Sequence, residues 1–228
     1  MARDTLTTDQ IVQAAIELLD EEGLDGLNMR SLGKRLGSAA TAIYWHIKTK
    51  DDLVRLAGDA IWDEIELPDV EAVDWRTAAT ALATGMHAML GRHPWFGQAF
   101  GSYLLYGPGK SRHDDLSLAV YEKAGFAAAD ADRAAATVFV HVLGSALGPA
   151  AEVSLTRRLG RNGEDARRKL ADTVARAAEI AARFPRLRER LDTAAAVEYA
   201  GAPENSFEFG LRAILDGFEA RLSAARAS

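Results

Sequence analysis

Five histidines and a cluster of basic residues are the side chains of this sequence that could carry chemistry. No two histidines have the His-Glu-x-x-His spacing that places two metal ligands on one helix face; they are His46, His87, His93, His113 and His141. The chain has no cysteine, no Gly-rich phosphate-binding loop and no Gly-x-Ser-x-Gly nucleophile motif. We therefore expect no enzyme activity, no metal site and no cofactor.

The basic residues are concentrated in one segment. Residues 26–50 contain five lysines and arginines and no aspartate or glutamate; the five are Arg30, Lys34, Arg35, Lys48 and Lys50. The 228-residue chain has a net charge of −6, so this +5 segment leaves −11 for the remainder. Phosphate contacts dominate the affinity of proteins for DNA, so a positive face on an acidic body suits a DNA reader. From charge alone, a solvated basic helix is the alternative.

The bulk composition is that of a globular protein, with 48% hydrophobic and 26% charged residues. Residues 1–9 contain no apolar run of the kind found in signal peptides. Nowhere do about 18 apolar residues follow one another without a charge, so we expect no transmembrane helix and no membrane partner. A cytoplasmic protein is the default expectation.

Apolar residues recur at helical spacing almost throughout, and no segment shows sustained strand alternation. We predict an all-α fold. The N-terminal part is predicted to hold helices at 8–22, 28–36 and 39–45, with Ser38 as a cap, and a fourth helix after Thr49. Further helices are predicted at 75–91, 114–124, 130–147, 164–183 and 206–225, with loops at 106–110 and 160–163.

The second and third predicted helices, joined at Gly37, have the arrangement of a helix-turn-helix. A helix that enters the major groove needs small or polar side chains on its outer face, which Ala40, Thr41 and Ala42 supply. The flanks need phosphate anchors, and Tyr44, His46, Lys48 and Lys50 can supply them. This interpretation divides the chain into a DNA-binding domain at 1–50, a connecting helix at 51–67 and a C-terminal domain at 68–228.

These residues resemble a known family. The segment from Ile11 to Leu27, Leu36-Gly37 and the run Ile43-Tyr44-Trp45-His46-Ile47-Lys48-Thr49-Lys50 are similar to the DNA-binding domain of the tetracycline-repressor family. The likeness covers about residues 8–65, and residues 207–222 resemble the last helix of the tetracycline-repressor branch. The resemblance implies a bacterial repressor that binds palindromic operator DNA as a homodimer. It would leave the DNA when a small-molecule inducer binds the C-terminal ligand-binding and dimerisation domain.

The resemblance also implies roles for particular residues. Arg30 would contact a base edge, Ala40, Thr41 and Ala42 would face the floor of the groove, and Asn28 and Met29 would lie close to it. Tyr44, Trp45, His46 and Lys50 would contact phosphates. Simpler explanations stay open: Arg30 as an ordinary surface arginine, Trp45 as packing between the third and first helices, His46 as a helix-end residue, and the alanines as helix-favouring filler.

The C-terminal domain carries two further predictions. Apolar stripes in two helices are predicted to form the dimer interface, with an intrachain core as the alternative; they contain Val138, Val142, Phe207, Leu211, Leu215, Phe218 and Leu222. The predicted ligand pocket uses Trp95, Phe96, Phe100, Tyr103, Phe139 and His141, any of which can instead belong to the core.

The resemblance also bears on what the chain binds. Gly148 stands where the tetracycline repressor has a glutamate, and no histidine lies in residues 101–106, so we expect an apolar or aromatic inducer rather than a magnesium–tetracycline complex. A helical adaptor, or an activator of the same fold, is the alternative function.

Overall fold

In the computed structural model, which describes residues 6–161, 166–191 and 206–227, the chain is built from helices, and none of those residues lies in a strand. The all-α prediction is confirmed. The helices are α1 (Thr8–Gly26), α2 (Met29–Arg35), α3 (Ala40–His46), α4 (Lys50–Ala60), α5 (Trp75–Arg92), α6 (Trp95–Phe100), α7 (Pro108–Ala124), α8 (Ala128–Arg161), α9 (Ala166–Ala181), α10 (Pro185–Leu191) and α11 (Ser206–Ala227). A 3₁₀ helix, Ile61–Glu64, extends α4.

Helices α1 to α3, here called the reading domain, begin at the signals that the sequence contains. Thr7 and Gln10 form a capping box at the start of α1, and Asn28 caps α2 by accepting from the N–H groups of Arg30 and Ser31. Gly23, at φ 70°, breaks the regular helix where the sequence predicts its end, and a further turn carries α1 to Gly26.

The turn between α2 and α3 centres on Gly37, whose φ of 60° lies in the left-handed region that favours glycine. Ser38 does not cap α3, contrary to the sequence prediction. Ala39 occupies the N-cap position without a side-chain hydrogen bond, and α3 starts one residue later than predicted. The Ser38 hydroxyl instead donates to the carbonyl oxygen of Leu36 at 3.5 Å.

Helix α4, here called the connecting helix, is capped by Thr49, with Asp51 and Asp52 in its first turn, where carboxylates interact favourably with the helix dipole. Its inner face packs against α1 and, on the other side, against α7. The connecting helix is therefore in contact with both the reading domain and the helices that follow it.

Helices α5 to α11, here called the C-terminal domain, are organised around α8, which packs against α5, α6, α7, α9 and α11. Helix α7 begins at Pro108, although the sequence predicts a loop there, because proline suits the first helical turn. Helix α8 continues through Pro149 to Arg161, past the predicted end at 147. The predicted loop at 160–163 falls partly outside the described residues, and α10 was not predicted from the sequence.

Helix α8 leaves much of its apolar surface uncovered within one chain. Over Ala128–Gly160 it is the one helix among the described residues long and apolar enough to cross a membrane by length and composition. A single helix of this kind is weak evidence for a membrane protein. Only 17% of the most apolar stretch of α8 is buried within the chain. The exposed apolar surface of α8 therefore needs another explanation.

Candidate nucleic-acid interface and ligand cavity

Helix α3 is fixed on one side and exposed on the other. Ile43 is fully buried, as are Leu32 of α2 and Ile47 just after α3, and all three belong to the hydrophobic core. On the outer side Trp45 is 81% exposed and Tyr44 is also exposed. The alternative in which Trp45 packs α3 against α1 is therefore wrong. A large aromatic side chain held in solvent is available for an intermolecular contact.

The basic residues of the reading domain fall into two groups. Arg35 forms ion pairs with Glu17, at 3.2 Å, and with Glu21, so two α1 carboxylates neutralise part of the positive segment. Hydrogen bonding to Glu21 raises the pKa of Arg35 above its usual value. The side chains of Arg30 and Lys34 are exposed, and neither has a hydrogen bond or ion pair among the described residues. These two cations are free to meet phosphate or base.

Lys48 and Lys50 are each attached to the backbone by one hydrogen bond. The Lys48 ammonium donates to the Tyr44 carbonyl at 2.9 Å and lies 5.9 Å from the centroid of the Trp45 ring. The Lys50 ammonium donates to the Leu24 carbonyl at 2.7 Å, which joins the start of α4 to the end of α1. An ammonium has three donors, so both lysines retain capacity for a phosphate.

The remaining predicted DNA contacts occupy different positions. Thr41 and His46 are exposed, while Ala40 and Ala42 are half-buried on α3. The Asn28 side chain is used within the protein, since it caps α2 and donates to the Gly26 carbonyl at 3.1 Å. Met29 is half-buried and packs against the core. The structure therefore gives Asn28 and Met29 structural roles.

A cavity of about 300 Å³ lies in the C-terminal domain, between α5, α7 and α8. Its walls are mostly apolar, and its polar side chains come mainly from α7, including Lys110, His113, Asp114 and Tyr121. Burial raises the pKa of Tyr121 well above the usual value, so its phenol stays neutral. Sequence reasoning missed His113 and Lys110, because it predicts a loop at 106–110 and starts the next helix only at residue 114, whereas α7 begins at Pro108.

Of the six residues predicted to form the pocket, the structure brings only Phe139 to this cavity. Trp95 and Phe96 are fully buried core residues, and the Trp95 indole N–H donates to Asp20 of α1 at 2.8 Å. Phe100 and Tyr103 lie outside the lining, and His141 contacts the Phe207 carbonyl of α11 at 3.0 Å. These positions belong to the packing between helices.

The predicted dimer residues also face inward. Within one chain they form part of the hydrophobic core, as the alternative prediction has it. Phe218 is partly buried and the other residues are buried; the set is Val138, Val142, Phe207, Leu211, Leu215, Phe218 and Leu222. The opposite faces of the same helices are exposed. Val140 of α8 is 64% exposed and Phe209 of α11 is 78% exposed, and Leu147 of α8 is exposed as well.

Small residues accompany these exposed apolar side chains. Gly144 and Gly148 follow Val140 on the outer side of α8, and Ala213 and Gly217 follow Phe209 on α11. No atom lies within 4 Å of the place that a side chain on Gly144 or Gly217 would take. Around Val140 and Phe209 the outer surfaces of α8 and α11 therefore combine exposed apolar side chains with small residues, which allows close packing against a partner helix.

Comparison with known proteins identifies the family. The model of bacterial regulatory proteins of the tetR family matches residues 11–57. The model of the tetracycline repressor-like C-terminal domain matches residues 67–222, which is more than half of the chain. The chain belongs to the tetracycline-repressor (TetR) family. The helix-turn-helix and the C-terminal helical domain are therefore those of a transcriptional regulator.

Individual relatives agree with this assignment. An HTH-type transcriptional regulator of Saccharopolyspora erythraea is 40% identical to this TetR-family chain over 140 residues, which cover 61% of the chain and 59% of that relative. The class A tetracycline repressor of transposon 1721 from Escherichia coli is 30% identical over 222 residues, which cover 95% and 92% of the two chains. All of these names describe regulators of transcription.

A solved structure shares the fold. The TetR-family protein ActR of Streptomyces coelicolor, in complex with actinorhodin, has a TM-score of 0.75 and 22% sequence identity. The alignment covers 96% of this chain and 97% of that one. At this identity the likeness establishes the fold.

Proposed function

We propose that this TetR-family regulator represses transcription by binding a palindromic operator as a homodimer, and that a small molecule in the C-terminal cavity releases it. The proposal rests on the side chains that are exposed on the outer surface of the reading domain. Tyr44 and Trp45 stand in solvent on α3, with the unpaired cations Arg30 and Lys34 on the preceding helix. Tyrosine, arginine and lysine side chains make many of the phosphate and base contacts in protein–DNA interfaces, so this group of exposed side chains suits DNA binding.

The exposed faces of α8 and α11 support a two-fold dimer. One short recognition helix contacts too few base pairs for specificity, and a dimer reads two half-sites about 34–36 Å apart or a multiple of this. Pairing α8 and α11 with their copies would bury Val140 and Phe209, which are mostly exposed in a single chain. The same pairing accounts for the apolar surface of α8 without a membrane, and we place the regulator in the cytoplasm with its DNA.

Contacts between the connecting helix and α7 support coupling between ligand binding in the cavity and DNA binding by the reading domain. The buried carboxylate of Asp59 accepts from the N–H groups of Gly109 and Lys110, at 3.2 Å and 2.9 Å. Arg55 lies 4.9 Å from the centroid of the Tyr106 ring, and Arg112 pairs with Asp63. Helix α7 lines the cavity, so a ligand that favours one position of α7 also favours one tilt of α4. The effect is limited to the difference between its affinities for the two states, typically about 1–3 kcal/mol.

The DNA-binding part of the proposal is tested by selection from a random double-stranded library. The full-length protein should enrich a two-fold symmetric sequence, and fluorescence anisotropy should show that one dimer binds it. Trp45→Ala should weaken this binding, whereas Arg186→Ala, which removes an exposed arginine from α10, should not. A failure to enrich any sequence in dilute salt would contradict the proposal and favour a helical adaptor.

A further inference from the structure

The contact between the reading domain and the C-terminal domain contains a buried histidine that faces two carboxylates. Nδ1 of His93 lies 2.8 Å from Oδ1 of Asp20 on α1, and Nε2 lies 2.9 Å from Oε1 of Glu64 on the 3₁₀ helix after α4. The His93 side chain is 6% exposed, and both of its nitrogens are used inside the protein. The ring therefore joins the reading domain to the segment that leaves the connecting helix.

Only the protonated ring can donate to both carboxylates. A neutral imidazole has one donor and one acceptor, whereas an imidazolium has two donors. Carboxylates are ionised near neutral pH and only accept, so a neutral His93 would direct a lone pair at either Asp20 or Glu64. The bridge is therefore complete when His93 carries a proton, and one of its two hydrogen bonds is lost when the proton leaves.

The backbone of His93 is fixed within the C-terminal domain. Its N–H donates to the Met89 carbonyl of α5 at 3.0 Å, and its own carbonyl accepts from the Phe96 N–H of α6 at 2.9 Å. Pro94 follows directly and restricts the backbone of the residue before it. We therefore expect a change at the bridge to move the reading domain and the connecting segment rather than the histidine.

Neighbouring side chains hold the two carboxylates near the ring. The Trp95 indole N–H of α6 donates to the same Asp20 oxygen at 2.8 Å, and Arg92 of α5 pairs with Glu64 at 2.8 Å. Arg157 of α8 donates to the backbone carbonyl of Asp20. Other ion-paired carboxylates of α1 and the 3₁₀ helix have different partners: Glu17 and Glu21 pair with Arg35, and Asp63 pairs with Arg112.

The surroundings of His93 favour its charged form. Burial opposes protonation, but hydrogen bonds and charge interactions with Asp20 and Glu64 outweigh burial and raise the pKa of His93. An unperturbed histidine has a pKa of about 6.5, so the folded protein loses this proton at a higher pH than the unfolded chain does. The complete bridge is thus the form present below this range, and it opens as the pH rises.

We propose that protonated His93 fixes the reading domain against the C-terminal domain, and that this fixed arrangement is the one that binds the operator. The proposal rests on the operator binding by a homodimer proposed above. A dimer must present two recognition helices at one separation, and fixing each reading domain beforehand lowers the entropy lost on binding both half-sites. His93, Asp20 and Glu64 are then positioning residues, and operator affinity should fall as the pH rises and His93 loses its proton.

The bridge itself is tested on the full-length protein without DNA. Hydrogen–deuterium exchange, corrected for the intrinsic rise of the exchange rate with pH, reports how often α1 opens. In the wild type, peptides around Asp20 should be protected several-fold more at pH 6 than at pH 9. His93→Gln offers one donor and one acceptor at every pH, so its protection should be the same at both values. Equal protection of the wild type at pH 6 and pH 9 would overturn the proposal.

Operator affinity is then measured at both pH values in a His46→Gln background, because His46 of α3 is exposed in the predicted DNA interface and titrates in the same range. Between pH 6 and pH 9 the affinity should fall on the order of fivefold or more beyond the fall seen when His93→Gln is added. Asp20→Asn should flatten the pH profile in the same way, because the ring then loses one of the two anions that favour its charged form. A purely structural role would lower affinity equally at both pH values.

Glu17→Gln is the matched control, since it makes the same acid-to-amide change on α1 at a carboxylate that pairs with Arg35 rather than with His93. It should keep the pH profile of the background protein. If exchange depends on His93 as expected but operator affinity rises with pH or does not change, the bridge forms but the fixed arrangement is not the one that binds DNA, and the proposal is wrong. If no sequence is selected from the library, operator binding fails, whereas the exchange experiment still decides whether the bridge exists.

Discussion

Nδ1 of His93 lies 2.8 Å from Oδ1 of Asp20, which places a buried imidazole of the C-terminal domain against α1 of the reading domain. Nε2 of the same ring lies 2.9 Å from Oε1 of Glu64, in the 3₁₀ helix after α4. Trp95 donates to the same Asp20 oxygen, and Arg92 pairs with Glu64 at 2.8 Å. One histidine therefore joins the reading domain, the end of the connecting segment and the C-terminal domain.

This bridge should make stability depend on pH. Burial opposes protonation of His93, but its hydrogen bonds and charge interactions with Asp20 and Glu64 outweigh burial and raise its pKa. The pKa of Glu64 is lowered by Arg92 and His93, despite its burial. A raised histidine pKa means that the folded state binds the proton more tightly than the unfolded state. Its stabilisation is complete below the unfolded pKa of about 6.5 and is lost as pH rises through the folded pKa.

We expect His93→Gln to lower the free energy of unfolding by about 2 kcal/mol at pH 6, because hydrogen bonds to charged groups are lost. The corresponding fall in melting temperature is about 4–8 °C. The difference from wild type should shrink between pH 6 and pH 9 as wild-type His93 loses its proton. Thermal melts at both pH values, with His46→Gln as a surface control, measure it. A difference independent of pH would mean that His93 is neutral when folded.

Arg30→Ala tests whether the unpaired arginine of α2 reads a base. We expect specific operator binding to weaken by about 1–3 kcal/mol and one operator position to lose its preference. Anisotropy titrations against single-base variants of the selected site provide the measurement. Lys34→Ala, which removes the other unpaired cation of the same helix, should leave the base preferences of the operator unchanged even if it weakens binding to all sequences. If Arg30→Ala weakens all sequences equally, Arg30 contacts phosphate rather than a base.

Lysines 48 and 50 should contribute through phosphates. Each alanine variant should weaken binding to all sequences and reduce the slope of log K against log salt by about 1. Lys50 donates to the part-buried Leu24 carbonyl of α1, whereas the bond from Lys48 to the Tyr44 carbonyl is exposed and local, so Lys50→Ala should lower the melting temperature more than Lys48→Ala. An unchanged salt slope for either variant would remove that lysine from the interface.

Dimerisation should depend on the outer faces of α8 and α11. Val140→Asp and Phe209→Asp place a charge where a dimer would bury it, which should cost roughly 3–5 kcal/mol of dimerisation free energy. Both positions are exposed in the monomer, so neither variant should destabilise the monomer fold. Sedimentation should show monomers with a normal melting profile. Phe184→Asp, in the turn just before α10, is the control, because Phe184 is comparably exposed. Dimers that persist in both test variants would place the interface elsewhere.

The same helices show what the sequence can and cannot predict. A deletion of residues 206–228 looks from the sequence like a test of dimerisation, but Phe207 and Leu215 are buried in the core of their own chain, so the deletion would disrupt the fold. Periodicity predicts that a helix has an apolar stripe. It does not tell whether the stripe packs within the chain or whether the opposite face meets a partner.

Signals within a few residues predicted the helices of the reading domain well, whereas features that depend on long-range packing could not be predicted from the sequence. The Thr7 capping box, the Asn28 cap and the Gly37 turn depend on residues within a few positions of one another, so the sequence contains them. The partners of Arg35 come from α1, 14 and 18 residues away, and nothing local indicates that they reduce the positive charge. The cavity depends on how three helices meet, which no single segment specifies.

The carboxylate of Asp59 offers a test of the coupling between cavity and DNA. It caps α7 from α4 through two backbone N–H groups, so Asp59→Ala should lower stability by about 1–2 kcal/mol. Because it also holds α4 against α7, we expect operator affinity to change several-fold. Asp74→Ala removes a comparable cap, on Arg76 and Thr77 of α5, without touching α4. It should lower the melting temperature but preserve operator affinity. Equal effects of the two variants on DNA binding would show that Asp59 only stabilises a helix end and that coupling follows another route.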